Sequence, residues 1–318
     1  MNFTKDSIKI DPAKEFEKIS TKLRDDVTKK LKKRGAVVGI SGGIDSSVVL
    51  AICAKTFGPE RVVGVMLPEN DSNPDSLELA TKLAEKFNVK YIVENMTDAL
   101  AGFGCYRRRD EAIKNVFPEY NNNYKAKITL PTNLLEKDLL NVFQLTIIAP
   151  DGSTKSERLP LKEYLQIVAA SNFKQRSRMS MLYYHAESRN YAVIGTGNKN
   201  EHEQGFFVKY GDGGADIKPI THLFKTQVFQ LAEYLEVPDE IRKRTPTTDT
   251  YSAEQTQEEF FYRVPFAILD TVWFGWENNV PVEKIAEALQ LTKSNVEAII
   301  NDIQRKIRTT EYLRMEPL

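Results

Sequence analysis

The sequence predicts an α/β fold with a doubly wound parallel sheet and a helical C-terminal region. Between residues 36 and 95, short segments rich in β-branched residues alternate with apolar helical segments. This alternation is typical of βαβ units, in which parallel strands are joined by right-handed helical crossovers. A fourth strand-like segment, YAVIGTG at 191–197, follows a long helical stretch, and from about residue 221 the remaining pattern is mainly helical.

The individual elements follow from periodicity and turn signals. The first is an amphipathic helix over 12–34, where Phe16, Ile19 and Leu23 recur at helical spacing and Gly35 ends the pattern. Next in order are a strand at 36–40, a helix at 46–57, a strand at 61–68, a helix at 76–87 and a strand at 89–95. A long helix is predicted over 161–189, before the strand at 191–197.

Residues 104–165 interrupt this alternation. Their first part is mostly polar, and VFQLTIIAPDGSTKSERLPL predicts a hairpin that turns at Pro150, Asp151 and Gly152. We expect an insertion within a single domain spanning 1–318, with residues 255–318 as a helical extension of that domain.

The composition excludes several classes of protein. Lys and Arg residues together number 44, and Asp and Glu residues together also number 44. The net charge is therefore zero, and no global charge attracts nucleic acid or an anionic membrane. The two cysteines form no CxxC pair, which argues against a zinc knuckle or a dithiol site. Cys53 is predicted in the core; Cys105 is interpreted as an incidental thiol, although the arginines beside it could lower its pKa. No window approaches ~18 apolar residues, and we expect a cytoplasmic protein.

A glycine turn between the first strand and the next helix carries the strongest chemical signal. GISGGIDSS at 39–47 matches neither GxxxxGK[ST] nor GxGxxG. Its hydroxyls, its glycine amides and the helix N-terminus form an anion site: Ser41, Ser46, Ser47, Gly42 and Gly43. Asp45 would repel phosphates unless Mg²⁺ lay between them, so we predict a metal-bound pyrophosphate. The structural alternative is a tight turn capped by serine or aspartate.

This turn resembles the PP-loop of ATP pyrophosphatases, which cleave ATP between its α and β phosphates. The segment YAVIGTGNKNEHEQGFFVKYGDGGADIKPI, at 191–220, closely resembles the core of the NAD synthetase family. Three shorter motifs agree with that family in order and spacing: NFKQRSRM at 172–179, LFKTQV at 223–228 and RTPTTD at 244–249. The resemblance covers about 35–100 and 170–270 and implies an adenine-nucleotide alpha-hydrolase-like fold.

The resemblance also implies a reaction. ATP would adenylate the nicotinate carboxylate of deamido-NAD⁺, and ammonia would then displace AMP to give NAD⁺, which is a ligase reaction forming a C–N bond. Only about 35 residues precede the first strand, too few for an amidase domain, so we expect direct use of ammonia or a separate glutaminase partner. The family resemblance further implies a homodimer with the dinucleotide across its interface, and neither a nucleic-acid nor a membrane partner.

Site residues transfer from the motifs by position. The ATP-binding set is Gly39, Ile40, Ser41, Gly42, Gly43, Ile44, Asp45, Ser46, Met66, Thr196, Lys225 and Thr247. Deamido-NAD⁺ would contact Arg176, Lys209 and Asp216, and Mg²⁺ would bind Asp45 and Glu201. Catalytic roles are expected for Asp45, Lys225, Thr247 and Asp212. Arg305 and Lys306 stand where the family has a His-Lys pair, and are candidates for the deamido-NAD⁺ site.

Two alternatives remain open. The acidic stretch LPENDSNPDS at 67–76 and the 104–165 segment have no counterpart in the family motifs, which motivates a PP-loop adenylating enzyme that amidates a different carboxylate. Residues 282–308 also fit a helix–turn–helix DNA-binding module, although Glu297 and Asp302 on the second helix would repel phosphates. A helical pair packed on the enzyme body is favoured over the DNA-binding module.

Overall fold

The computed structural model describes residues 3–129, 143–247, 251–253 and 255–317. Its strands are β1 (Ala36–Gly39), β2 (Val62–Met66), β3 (Lys90–Val93), β4 (Lys125–Thr129), β5 (Gln144–Ile148), β6 (Thr154–Arg158) and β7 (Ala192–Ile194). Its α-helices are α1 (Pro12–Asp25), α2 (Ile44–Phe57), α3 (Pro74–Lys86), α4 (Thr97–Gly102), α5 (Cys105–Val116), α6 (Leu161–Glu187), α7 (Lys199–Gln204), α8 (Lys225–Tyr234), α9 (Asp239–Lys243), α10 (Phe266–Glu277), α11 (Val282–Leu289) and α12 (Lys293–Thr309).

The central sheet is parallel and has the order β3-β2-β1-β7. In register, Ala36 of β1 lies between Val62 of β2 and Ala192 of β7. The chain moves outward from β1 through β2 to β3 and then returns to the opposite side of β1. The strand order therefore reverses between β1 and β7, and ligands of open α/β sheets bind at the carboxyl ends of strands at such a point.

Helices cover both faces of this sheet, as a doubly wound fold requires. On one face, α1, α2 and α8 enclose the largest apolar cluster, which includes Leu23, Val48 and Leu231. On the other face, Leu182 of α6 packs against Val37 of β1 and residues of β2. Burial on both faces explains why β1 and β2 are apolar along their whole length. The predicted fold class is confirmed.

The predicted first helix is too long. Regular α-helix ends at Asp25, and a single π-helical turn, Asp26–Lys30, follows it. The later strands and helices lie within a few residues of their predicted positions, and helix ends commonly differ by this much.

The 104–165 segment contains more regular structure than its polar sequence indicates. The predicted hairpin is present in the described part, because Ile148 of β5 pairs with Thr154 of β6 across the turn. Strand β4 adds to β5, and α5 packs along α6, which the sequence had not predicted. Val142, where the predicted hairpin segment begins, and Asp249 of the RTPTTD motif lie outside the described residues.

The C-terminal helices form their own apolar cluster around Trp273. Ile285 of α11 and Val296 of α12 point into this cluster, so the apolar side of the helix pair is used for packing. This is the arrangement favoured over a DNA-binding module. In the described part of the chain, no helix combines the length and the apolar character needed to cross a membrane.

Candidate active site

The glycine turn lies at the carboxyl end of β1, where the strand order reverses. Gly42 has a left-handed backbone (φ 73°), and a Cβ placed on it would lie 2.6 Å from the Ser76 carbonyl oxygen of α3. Gly43 has an ordinary extended backbone, and a Cβ there would meet only Ser41 Oγ, at 3.3 Å. The two glycines therefore serve different needs: Gly42 permits the turn and its close packing on α3, and Gly43 leaves space at the N-terminus of α2.

The hydroxyl groups of the turn differ in their surroundings: two line a cavity and one is buried. Ser41 Oγ lies 3.3 Å from Ser46 Oγ, and both residues line the cavity described below. Ser47 is fully buried, and its hydroxyl donates to the Gly43 carbonyl at 2.8 Å. The expectation that Ser47 contributes to the anion site is wrong, because its hydroxyl stabilises the first turn of α2 instead.

A cavity of about 870 Å³ opens above the carboxyl ends of β1, β2 and β7. Its wall includes the glycine turn and a set of aromatic residues: Phe143, Tyr164, Tyr251, Phe260 and Phe261. Most of the predicted site residues line it: Gly39, Ile40, Ser41, Gly43, Ile44, Asp45, Ser46, Met66, Thr196, Glu201, Asp212, Lys225, Thr247, Arg305 and Lys306.

Among the described residues, four predicted ones lie outside this wall: Gly42, Arg176, Lys209 and Asp216. Arg176 is exposed and donates to the Lys209 carbonyl at 3.1 Å. Lys209 Nζ donates to carbonyls near the C-terminus. Asp216 accepts a hydrogen bond from the Val193 amide at 2.8 Å and one from Tyr183, which fixes the loop after β7 against the sheet.

A buried ionic cluster lies beside the glycine turn. Lys225, the first residue of α8, is fully buried, and its Nζ lies 2.5 Å from Asp45 Oδ2 and 4.0 Å from Glu201 Oε1. Burial lowers the pKa of Lys225, but the two carboxylates outweigh this effect and hold the amine in its charged form. Asn198 donates to the other oxygen of Asp45 at 2.8 Å and so fixes that carboxylate.

The ionised form of Glu201 is disfavoured in this cluster. Burial and the nearby charge of Asp45 raise the pKa of Glu201 to about 8. The two carboxylates are hard oxygen donors that suit Mg²⁺, which usually keeps ligands from water and phosphate as well. Within the ranges that the structure describes, no group of three or more His, Cys, Asp or Glu side chains could hold a metal. A metal ion at Asp45 and Glu201 would need further ligands, such as water or phosphate oxygens.

Asp270 of α10 holds this cluster in place from the C-terminal region. It is fully buried, accepts from Asn200 Nδ2 at 2.5 Å, and accepts from the Thr226 amide at 2.8 Å. Asn200 in turn accepts from the Lys225 amide. Burial raises the pKa of Asp270 to about 6. This residue was missed, because a lone aspartate in an apolar helix carries no motif.

The loop that contains Asp212 brings a further carboxyl group to the cavity, besides Asp45 and Glu201. Burial raises the pKa of Asp212 to about 6, and its side chain accepts from the Val208 amide at 2.9 Å. Two cations that were not assigned to a site share this part of the wall: Lys218, and Arg178 of the NFKQRSRM motif. Burial lowers the pKa of Lys218. This part of the wall therefore places two cationic side chains near a buried carboxyl group.

Of the two arginines in NFKQRSRM, Arg178 rather than Arg176 faces the cavity. A signal existed in the sequence, since Lys174, Arg178 and Leu182 repeat every four residues and so share one helical face.

Two other residues named from the sequence are buried. Lys306 donates a hydrogen bond to the Phe261 carbonyl at 2.7 Å and pairs with Asp302. Cys105 is also buried, and burial raises its pKa, so the suggestion of a lowered thiol pKa is wrong.

Comparison with known proteins identifies the same family that the sequence motifs resemble. A family model described as NAD synthase matches residues 15–134 and 110–317. The "NH(3)-dependent NAD(+) synthetase" of Rhizobium rhizogenes is 46% identical over 98% of this chain and 94% of its own length. The protein of the same name from Thermotoga maritima is 35% identical over 82% of this chain and 89% of its length. The R. rhizogenes match includes nearly all of 104–165, so a relative shares that segment.

Two solved structures have the same fold. A structure titled NMN synthetase, from Francisella tularensis, aligns with a TM-score of 0.66, 23% identity and coverage of 97% of this chain and 98% of the other. An NH3-dependent NAD synthetase from Campylobacter jejuni aligns with a TM-score of 0.61, also at 23% identity and over the same shares of both chains.

Proposed function

This chain belongs to the NAD synthase family, and we propose that it amidates deamido-NAD⁺ with ammonia at the expense of ATP. The nicotinate carboxylate would attack the α phosphate of ATP, and pyrophosphate would leave. Ammonia would then attack the mixed anhydride and release NAD⁺ and AMP. The observation that carries the proposal is the Asp45–Lys225–Glu201 cluster beside a glycine turn that lacks a Walker lysine.

The chain's own residues have distinct tasks in the first step. The amides of the glycine turn and the N-terminus of α2 would receive the phosphates. Lys225 would move its hydrogen bond from Asp45 to a pyrophosphate oxygen as negative charge develops there. Asp45 and Glu201 would hold Mg²⁺, which when bound neutralises phosphate charge. Thr196 and Thr247 line the same cavity and would hydrogen-bond ATP.

The acceptor half combines residues inside and outside the cavity. Asp212, Arg305 and Lys306 line the cavity, and we propose that Asp212 assists the ammonia step. Arg176 is exposed and Lys209 partly exposed, and both lie outside the cavity wall, so they would contact a dinucleotide that a second protomer helps to bind. This placement supports a homodimer with the dinucleotide across its interface. We further propose that free ammonia is the nitrogen source; the alternative is ammonia supplied by a separate glutaminase. We also propose that the protein acts in the cytoplasm.

Product analysis tests the proposal. Purified protein with ATP, Mg²⁺, ammonium and deamido-NAD⁺ should form NAD⁺ and AMP in equal amounts, and Asp45→Asn should abolish both. Asp98→Asn is the matched control, because Asp98 is exposed. Formation of ADP would contradict cleavage at the α phosphate. AMP formed only with another carboxylate would overturn the acceptor, and nicotinic acid mononucleotide is the first competitor to include.

A further inference from the structure

The loop that follows β2 forms part of the cavity wall on the nucleotide side. Its residues Leu67, Pro68, Glu69, Ser72 and Asn73 line the cavity. The loop continues into α3, whose Ser76 carbonyl lies against Gly42 of the glycine turn. Displacement of this loop would therefore change the space in which ATP is expected.

Two acidic side chains of this loop are buried. The Glu69 side chain is 0% exposed and that of Asp71 is 3% exposed. Isolated carboxylates at such a place are costly, and their charge would also oppose a polyphosphate. Their burial therefore requires partners.

Those partners come from two helices. Lys174 of α6 is buried, and its Nζ lies 3.1 Å from Glu69 Oε1 and 2.5 Å from Asp71 Oδ2. Arg109 of α5 pairs with Asp71 as well. Burial raises the pKa of Asp71, but the charges of Lys174 and Arg109 outweigh it and leave the pKa lowered. The network thus neutralises the acidic loop.

Two further hydrogen bonds complete the attachment. The Tyr106 hydroxyl of α5 donates to Glu69 Oε2 at 2.7 Å. Arg178 Nε of α6 donates to the Leu67 carbonyl at 3.2 Å. Helix α5 belongs to the 104–165 segment, so the acidic loop and this segment meet in one buried network.

We propose that Lys174, Arg109 and Tyr106 are positioning residues that hold loop 67–73 as the wall of the ATP site. Removing one member of a buried ion network leaves its partners charged and unpaired, so these side chains hold the acidic loop against α5 and α6. Helix α5, which lies outside the cavity wall, would thus set the affinity for ATP through this loop. This inference rests on the proposed use of ATP.

Direct ATP binding, measured by calorimetry with Mg²⁺ and no acceptor, tests the inference. Tyr106→Phe removes one hydrogen bond to a buried carboxylate and should weaken ATP binding about tenfold. Lys174→Met should weaken it more. In turnover assays the KM for ATP should rise, and kcat and the KM for deamido-NAD⁺ should stay within about twofold. Lys162→Met, an exposed change on the same helix, should alter neither.

The outcomes are distinct. Unchanged ATP binding by folded Tyr106→Phe would overturn this inference alone, even if Lys174→Met fails to fold. A rise confined to the KM for the acceptor would also overturn it. Absence of ATP binding by the unsubstituted protein would overturn the proposed function together with this inference.

Discussion

Substitution of the two adjacent glycines of the turn by alanine should produce different defects: Gly42→Ala should destabilise the fold, and Gly43→Ala should weaken ATP binding. At Gly42 a methyl group would be held in a left-handed conformation, which costs about 1–2 kcal/mol. It would also lie 2.6 Å from a backbone oxygen of Ser76, and overpacking of this kind costs about 1–3 kcal/mol. Gly42→Ala should therefore lower the free energy of unfolding by about 2–5 kcal/mol.

Gly43→Ala should leave the protein nearly as stable, with a loss below about 1 kcal/mol for a poorer helix cap. Its methyl group would project into the cavity beside Ser41, where the phosphates are expected, so ATP binding should weaken by about tenfold or more. Urea unfolding followed by circular dichroism gives the stabilities, and calorimetry gives ATP affinity. A Gly43→Ala protein that is less stable than Gly42→Ala would refute the assignment of the two glycines.

Three other perturbations test the ionic cluster. Lys225→Met should lower the rate of NAD⁺ formation by about 10²–10³-fold, with Lys162→Met as control; a smaller loss would contradict its contact with the leaving pyrophosphate. The carboxyl group of Asp270 binds its proton more tightly in the folded than in the unfolded protein. Its contribution to the free energy of unfolding is therefore complete below pH 3.8 and is lost as the pH rises through about 6. Relative to Asp270→Asn, the unsubstituted protein should therefore lose about 1 kcal/mol of unfolding free energy between pH 5 and pH 8, and equal pH profiles would contradict this. Chelation of Mg²⁺ should weaken ATP binding in the unsubstituted protein and have little effect in Asp45→Asn; an equal effect in both would exclude Asp45 as a ligand.

Local patterns were sufficient for the fold. Alternating β-branched and helical segments predicted the parallel sheet, because burial on both faces makes its inner strands apolar throughout. The glycine turn and the loop around Asp212 were found from sequence because they combine several residues within a short stretch. Helix α5 was missed, since its apolar face is narrow and much of its surface is charged.

The sequence by itself determined the sheet, the glycine turn and a set of site residues most of which line the cavity. Only the tertiary structure decided which of two arginines faces that cavity, that Asp270 holds the cluster, and that the acidic loop is neutralised by Lys174 and Arg109. The physical reason is range. Periodicity and turns act over a few residues, whereas charge pairing in a buried network joins residues up to 180 positions apart.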